Sequence, residues 1–531
     1  MSRFDEDLDR DFPVIADRAT PSPDAWASIQ QRIATREPDT ETEIIMLVEN
    51  TRPPIRRWPL VAAAAAVVAL LVGAIALVNR DDVEQPADVP EPVTTPDIDA
   101  SLVGATGGAS RFFPESGNGG YEVSVYDWDL ALSDDLTSLS GVATITATAT
   151  QDLQRFSLDA RELQIESVTV DGASAEFSVT EPELVITMSE PLPAGSEFVI
   201  EVAYAAEPAA YQPGGTSSRG WDVVPGKQVH EFGLPGSAAT WTPIDEDVDA
   251  PPARYIMRFD VPDGFTATAS GIPIEENESG TVTWDTGIEV SDATFAVAEF
   301  ETNLVDWKVP VEVSVIPGSP NAERLERQVL DALAYLESLF GPFPYERLGV
   351  SGLDGDFRAT AYSAPMRIVT PDSNSAQQML QLVAFQWAGN AVSTDAEGSD
   401  WLFLGLARYA PDLWAESQSD DVDADVTTRK LDGRVPAATR PLDGIESIDE
   451  LFDEVAYDRA ALFYHALRLE VGDDAFFTTV REFIQRNLHS AVTVDDLQAV
   501  AEEISGQDLD QFFTAWISAT EVPELPDTAE E

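Results

Sequence analysis

The sequence predicts a multidomain α+β protein: a single transmembrane helix, then an all-β sandwich, then a mostly helical domain. Three observations predict it. Leu60 to Val78, LVAAAAAVVALLVGAIALV, is an uninterrupted apolar run, about 28 Å long as a helix and so matched to the hydrocarbon core of a bilayer. Between Tyr121 and about Thr302, segments such as YEVSVYDWDLAL, GVATITATAT and EFVIEVAY alternate apolar and polar residues, the period of strands with one buried face. From about Val309 the apolar period becomes helical.

Taken in order, residues 1–58 form a polar, acidic tail. It holds one short helix candidate, Pro23 to Arg36, in which Trp26, Ile29 and Ile33 share a face. Either this is a loosely structured tail or the helix docks a cytosolic partner. The transmembrane helix is expected over 59–79, with Trp58 at one interface. Arg52, Arg56 and Arg57 precede it, while Asp81, Asp82 and Glu84 follow Arg80. The positive-inside bias therefore puts the N-terminus in the cytoplasm and the C-terminal domains outside, as in a single-pass plasma-membrane protein. Ala74-Ile75-Ala76 resembles a signal-peptide cleavage site, but the run starts far from the N-terminus and is longer than a usual signal core.

Residues 80–118 read as a Pro/Asp/Gly-rich linker, and 119–302 as the β-domain, with turns at Asp171-Gly172 and Ala194-Gly195. Residues 303–527 read as the helical domain. Its first helix, 321–340, is stopped by Gly341-Pro342, and further helices are expected near 373–391, 400–415, 447–470, 473–487 and 494–518. Asp473 and Thr493 are the expected N-caps, and 528–531 is a short tail.

Composition narrows the chemistry. Asp+Glu number 95 against 31 Lys+Arg in 531 residues, a formal net charge of −64. Such a chain repels nucleic-acid phosphates, so no nucleic-acid partner is expected. The acids form a solvated surface, or a face that attracts cationic partners. There is no cysteine, and the histidines are His230, His465 and His489 alone, far apart in sequence; this disfavours a histidine-rich zinc site, and each histidine reads as structural. Asp421, Asp423, Asp425 and Asp432 have D-x-D-x-D…D spacing, but Val426 stands where a calcium loop needs glycine, so a solvated acidic loop is expected.

An ordered set of motifs carries a resemblance. AATWTPIDED, RYIMRFDVPDGFTATASG, LFGPFPYERLGV, QWAGN, WLFLGLARYAPDLW, YDRAALFYHALRLEVGDDAFF, SGQDLDQFFTAWI and VPEL follow one another over about 115–527. In this order they resemble the membrane alanine aminopeptidase family of gluzincin zinc metallopeptidases. The resemblance implies an aminopeptidase-like N-terminal β-domain followed by a thermolysin-like domain.

That family binds zinc through H-E-x-x-H and a later Glu, with the first Glu as general base. Aligned on QW-x-GN, the histidine places hold Gln381 and Phe385, and the base place holds Leu382. WLFLGLA puts Leu404 at the third ligand, beside Phe403, and RATAY puts Ala361 where the family's Glu holds the substrate amine. Tyr457 of YDRAA stands where the family keeps its transition-state tyrosine. The resemblance thus implies a degenerate member, with zinc expected in the family but its ligands replaced here. A buried His or Glu without its metal is a costly unpaired polar group, whereas Leu and Phe pack. The expected function is non-catalytic binding of a peptide or protein at the cell surface. The alternatives are a zinc aminopeptidase with a rebuilt site, and a scaffold for another membrane protein.

Overall fold

The structure, a computed structural model, describes residues 98–526 apart from 109, 115, 210–219, 234–236, 248–249, 277–281, 356–360, 395–397, 419–430, 432 and 452. The 1–58 tail with its helix candidate, the apolar run Leu60 to Val78, most of the linker, the Asp421–Asp432 loop aspartates and the 528–531 tail lie outside the described residues. The expectation of a transmembrane helix is corrected: among the described residues no helix is long and apolar enough to cross a membrane. Each long described helix instead carries polar residues on a face or buries paired charges. The fold class is therefore a β-rich domain followed by a helical one, and the single-pass plasma-membrane placement that depended on a spanning helix is not supported.

The β-domain contains three sheets. The largest has eight strands in the order Ile272–Glu276, Val282–Asp285, Arg254–Asp260, Tyr121–Leu132, Leu139–Ala149, Glu197–Ala206, Gln164–Val170 and Ala173–Ser174. Period two sets its faces: in Glu197–Ala206, Phe198, Ile200, Val202 and Tyr204 are buried while Glu197, Val199 and Glu201 are exposed. The core is aromatic. Trp128 meets Trp241 edge to face at 4.8 Å between ring centres, and Tyr126 stacks on Tyr255 at 5.3 Å. Residues 98–118, expected as an extended linker, fold back on this domain: Gly117 N–H and the Asn118 amide both donate to the buried Asp159 carboxylate.

The second domain opens with a five-stranded mixed sheet in the order Glu301–Asp306, Pro310–Val315, Leu348–Leu353, Arg367–Pro371 and Tyr362–Ala364. Pro310–Val315, Leu348–Leu353 and Arg367–Pro371 run parallel; the two edge strands are antiparallel to their neighbours. Helix α1, Ala322–Phe340, makes the crossover between the first parallel pair. It buries Leu325, Val329, Ala332, Leu333, Leu336 and Phe340, a 3.6-residue stripe.

Among the described residues the longer helices that follow are α2 (Ala376–Ala384), α3 (Trp401–Ser417), α4 (Glu454–Val471), α5 (Asp473–Arg486), α6 (Val494–Ser505) and α7 (Asp510–Ser518), with a single helical turn at Ile448–Leu451 before α4. The helix expected near 373–391 stops at Ala384, and the one expected over 494–518 is two. Gly506, left-handed at φ 69°, ends α6 and lets the chain turn into α7. Thr493 caps α6 through a capping box, as expected. Asp473 is instead the first residue of α5, after Gly472, and its carboxylate pairs with Arg468. Helix α4 is buried all round its central turns. The two Nη atoms of its Arg459 donate to the carbonyls of Thr439, Arg440, Trp516 and Ala519.

Buried polar bonds join the two domains. Arg367 Nε donates to Ala269 O at 2.9 Å, and its Nη1 pairs with Glu312 at 2.9 Å. Thr268 and Ser351 hydroxyls meet at 2.9 Å. Arg367 and Arg347 outweigh the burial of Glu312 and hold its carboxyl below the usual range. The buried pair ties the mixed sheet to the β-domain at the domain joint.

Candidate functional site

A cavity of about 1110 Å³ lies between the β-domain and the helices. The β-domain contributes Phe232 and Glu289, Val290 and Ser291; the edge strand contributes Tyr362 and Ser363. Gln378, Gln381 and Leu382 come from α2, with Phe385 at its C-cap; Phe403, Leu404 and Arg408 come from α3, and Glu454 and Tyr457 from α4.

All six site residues read from the sequence line this one cavity: Ala361, Gln381, Leu382, Phe385, Leu404 and Tyr457. Helical geometry explains the α2 set. Phe385 N–H donates to Gln381 O at 3.2 Å, so the two side chains sit one turn apart on one face. Leu382 is buried beside them, and Phe403 is buried and stacked on Phe483. Phe385, Leu404, Ala361 and Tyr457 are half-buried. The wall is therefore apolar where α2 faces α3, with Gln381 and Tyr457 as polar groups among the carbon.

The QW-x-GN motif builds the frame of this wall. Gln386 is fully buried: its amide donates to Ala364 O and Ser363 Oγ at 2.8 Å each and accepts from Met366 N–H at 2.9 Å. Asn390 Nδ2 donates to Ser363 O at 3.1 Å, and Ser363 Oγ donates to Leu382 O at 2.8 Å. Trp387 Nε1 reaches the carbonyls of Gly341 and Pro342. The motif thus pins the end of α2 to the edge strand and to the turn after α1.

Sequence reading missed other lining residues. Arg408 lies four residues after Leu404 on α3, a spacing that would have placed it on the same face; it pairs with Asp458 at 2.9 Å. Tyr362 donates to Asp292, whose burial pushes its carboxyl up to about 6 against that hydrogen bond. His489, taken as structural, lines the cavity with its ring against Tyr345. It arrives there because the segment after α5 pairs Ser490–Val492 with Val392–Thr394. His230 and His465 lie elsewhere. Burial lowers His230 to about 3 and His465 to about 4, so both imidazoles are neutral, and His465 Nδ1 bonds Tyr409 Oη at 2.9 Å. Among the described residues, the one group of three carboxylates close enough to share a cation is Glu502, Asp508 and Asp510, outside the cavity. Glu502 there accepts from Leu509 N–H and joins α6 to α7.

Residues 369–516 match the Peptidase family M1 domain. The chain is 21% identical over 436 residues to aminopeptidase N of Lactobacillus helveticus, covering 75% of this chain and 51% of that protein. It is 22% identical over 443 residues to aminopeptidase M1-D of Oryza sativa subsp. japonica, covering 73% and 49%. The chain thus spans about half the length of these curated relatives. The M1 zinc metallopeptidase from Deinococcus radiodurans, 27% identical, superposes with a TM-score of 0.71 over 79% of this chain and 99% of that one. A mutant of that enzyme bound to a Tyr-Ser-Ala substrate, also 27% identical over the same shares, gives 0.69. In its two-domain fold, in the cleft between the domains and in the domain matched over residues 369–516, the chain is similar to the M1 aminopeptidases.

Proposed function

We propose that this chain is a non-catalytic M1 family member that binds a peptide, alone or as a segment of a protein, in the cleft between its domains. One observation carries the reading: Leu382, Phe385 and Leu404 line the cavity at the places the resemblance gives to the base and two metal ligands. Zinc needs lone pairs from imidazole, carboxylate or thiolate. Hydrocarbon side chains offer none, and Gln381 adds only an amide. The residues at these places therefore do not fit the ion, and no catalytic step is assigned to it.

What remains suits a peptide. The cavity exceeds 1000 Å³, at or above the usual size of a small-molecule site. It mixes an apolar wall with convergent polar groups, among them Gln381, Tyr362, Tyr457 and His489. The bound Tyr-Ser-Ala of a Deinococcus neighbour supports a short peptide as the ligand class.

The test is titration of fluorescently labelled Tyr-Ser-Ala with the full chain. Saturable binding that persists after exhaustive chelation, with the peptide recovered intact, is expected. Leu404→Trp, which fills the cavity, should weaken binding by about tenfold or more, the effect of blocking a buried contact. Undiminished binding in Leu404→Trp would move the ligand elsewhere. Absence of binding in the parent chain would end the proposal.

The rebuilt-enzyme reading rests on a different observation, that Glu454, Tyr457 and His489 line the same cavity. It requires chelator-sensitive cleavage of aminoacyl amides.

A further inference from the structure

The charge at this cavity has a direction. Glu289 and Glu454 line it as exposed side chains, and Asp400 lines it half-buried, accepting from Thr394 Oγ1 at 3.1 Å. Among the described lining residues Arg408 is the one permanent cation, and its guanidinium is held by the buried Asp458 at 2.9 Å. The arginine is thus paired with Asp458, and Glu454 also acts on its charge, while Glu289 and Glu454 stay exposed. The same cavity is lined by the apolar side chains of Leu382, Phe385, Phe403 and Leu404, buried or half-buried.

Resting on the peptide-binding reading above, we infer that the ligand is a cationic amphipathic segment: an aliphatic or aromatic residue seated on the apolar wall, with Lys or Arg beside it facing Glu289 and Glu454. Two physical effects select it. An acidic segment would bring carboxylate against carboxylate over a low-dielectric wall, which is repulsive, whereas a basic one meets opposite charge. A concave site with apolar walls also focuses the field of its rim charges. The acid excess at the cavity is no greater than that of the whole chain, 95 acids to 31 bases. The selectivity is therefore not one of local acid density. It comes from acids placed over an apolar seat, with the one local cation already paired.

The experiment uses the full chain and three labelled peptides that differ only in charge: Leu-Lys-Phe-Lys-Leu, Leu-Gln-Phe-Gln-Leu and Leu-Glu-Phe-Glu-Leu. Affinities are compared at about 0.1 M salt, where the screening length is about 10 Å. The Lys peptide should bind about tenfold tighter than the Gln peptide, and the Glu peptide weakest, the range given by a few rim charges. The double variant Glu289→Gln/Glu454→Gln removes two charges from a net −64, leaving the general field of the protein nearly unchanged. It should remove most of the Lys advantage over the Gln peptide. Equal binding of the Lys and Gln peptides would overturn the charge inference while keeping the peptide reading. A Lys advantage that survives the double variant would assign the attraction to the whole surface and also overturn it. If none of the three peptides binds, both readings fall.

Discussion

Trp387 Nε1 donates to Pro342 O at 2.9 Å, and also to Gly341 O at 3.2 Å, tying the turn after α1 to the end of α2. This bond gives the motif a role in the frame that does not depend on any chemistry in the cavity. Gln386, Trp387 and Asn390 each hold backbone of another segment, whereas Gln381, Leu382 and Phe385 face the cavity and hold no such joint of the frame with their side chains. Trp387→Phe keeps most of the ring and deletes the donor. It should cost about 1–3 kcal/mol, the cost of stranding buried carbonyls, read as a lower denaturant midpoint with an unchanged slope.

Gly405 lies where α3 crosses α4. A Cβ there would sit 2.5 Å from Ala460 Cβ and 2.7 Å from the Ala460 carbonyl carbon, so the helices must part. Gly405→Ala should therefore destabilise by about 1–3 kcal/mol or more, as overpacking does. Because α3 and α4 carry Leu404 and Tyr457, Tyr-Ser-Ala affinity should fall with it. Unaltered stability would show that the two helices separate freely.

Buried acids in the β-domain set a pH dependence. Burial and the nearby Asp159 push Asp245 up to about 8 and Glu183 to about 7, and burial raises Asp159 and Glu246 as well. Around them lie Arg161, Asp247, the Asn118 amide and the Tyr126 hydroxyl. In the unfolded chain such carboxyls titrate near about 4. Their folded pKa values are raised, so the stability they contribute is fully present below the unfolded value and is lost as pH rises through about 7 to 8. Relief of charge repulsion on acidification acts in the same direction. Glu312, Asp285 and Asp473 have lowered values and act oppositely, losing their contribution only as pH falls below the normal carboxylate range, and the buried His230 and His465 also act oppositely, losing theirs as pH falls below about 6.5; the larger set of raised carboxyls outweighs them. Thermal unfolding should therefore show a higher Tm at pH 5 than at pH 8; a Tm that rises steadily from pH 5 to 8 would contradict this.

Restoring the family's donors tests the alignment itself. Gln381 and Phe385 are one helical turn apart and share the cavity with Leu382 and Leu404. The combined change Gln381→His, Leu382→Glu, Phe385→His and Leu404→Glu should create a site that retains zinc through dialysis. Failure of a folded variant to retain zinc would show that these side chains do not converge as the family's ligands do.

Local period and helical spacing made much of the fold and site legible in the sequence. The stripe of α1, the capping box at Thr493 and the shared face of Gln381 and Phe385 are all local properties. In the five-stranded sheet, Leu348–Leu353 is buried on both faces and carries no alternating burial, whereas Pro310–Val315, PVEVSV, does alternate in sequence but falls within the region read as helical. Helix α4 buries Asp458, Arg459 and Arg468, charges that local pattern reads as exposed. Glu289 and His489 reach the cavity from different domains, through domain packing and the pairing of Val392–Thr394 with Ser490–Val492. Local reading also overreached: an apolar run suggested a spanning helix that no described helix supports.

The central claim is that hydrocarbon side chains occupy the place of the catalytic ion. Elemental analysis of the full chain, after equilibration with zinc and desalting, tests it most directly. The account predicts zinc far below one ion per chain and no chelator-sensitive release from an aminoacyl nitroanilide. One tightly held zinc per chain, with cleavage that chelation abolishes and zinc restores, would contradict it.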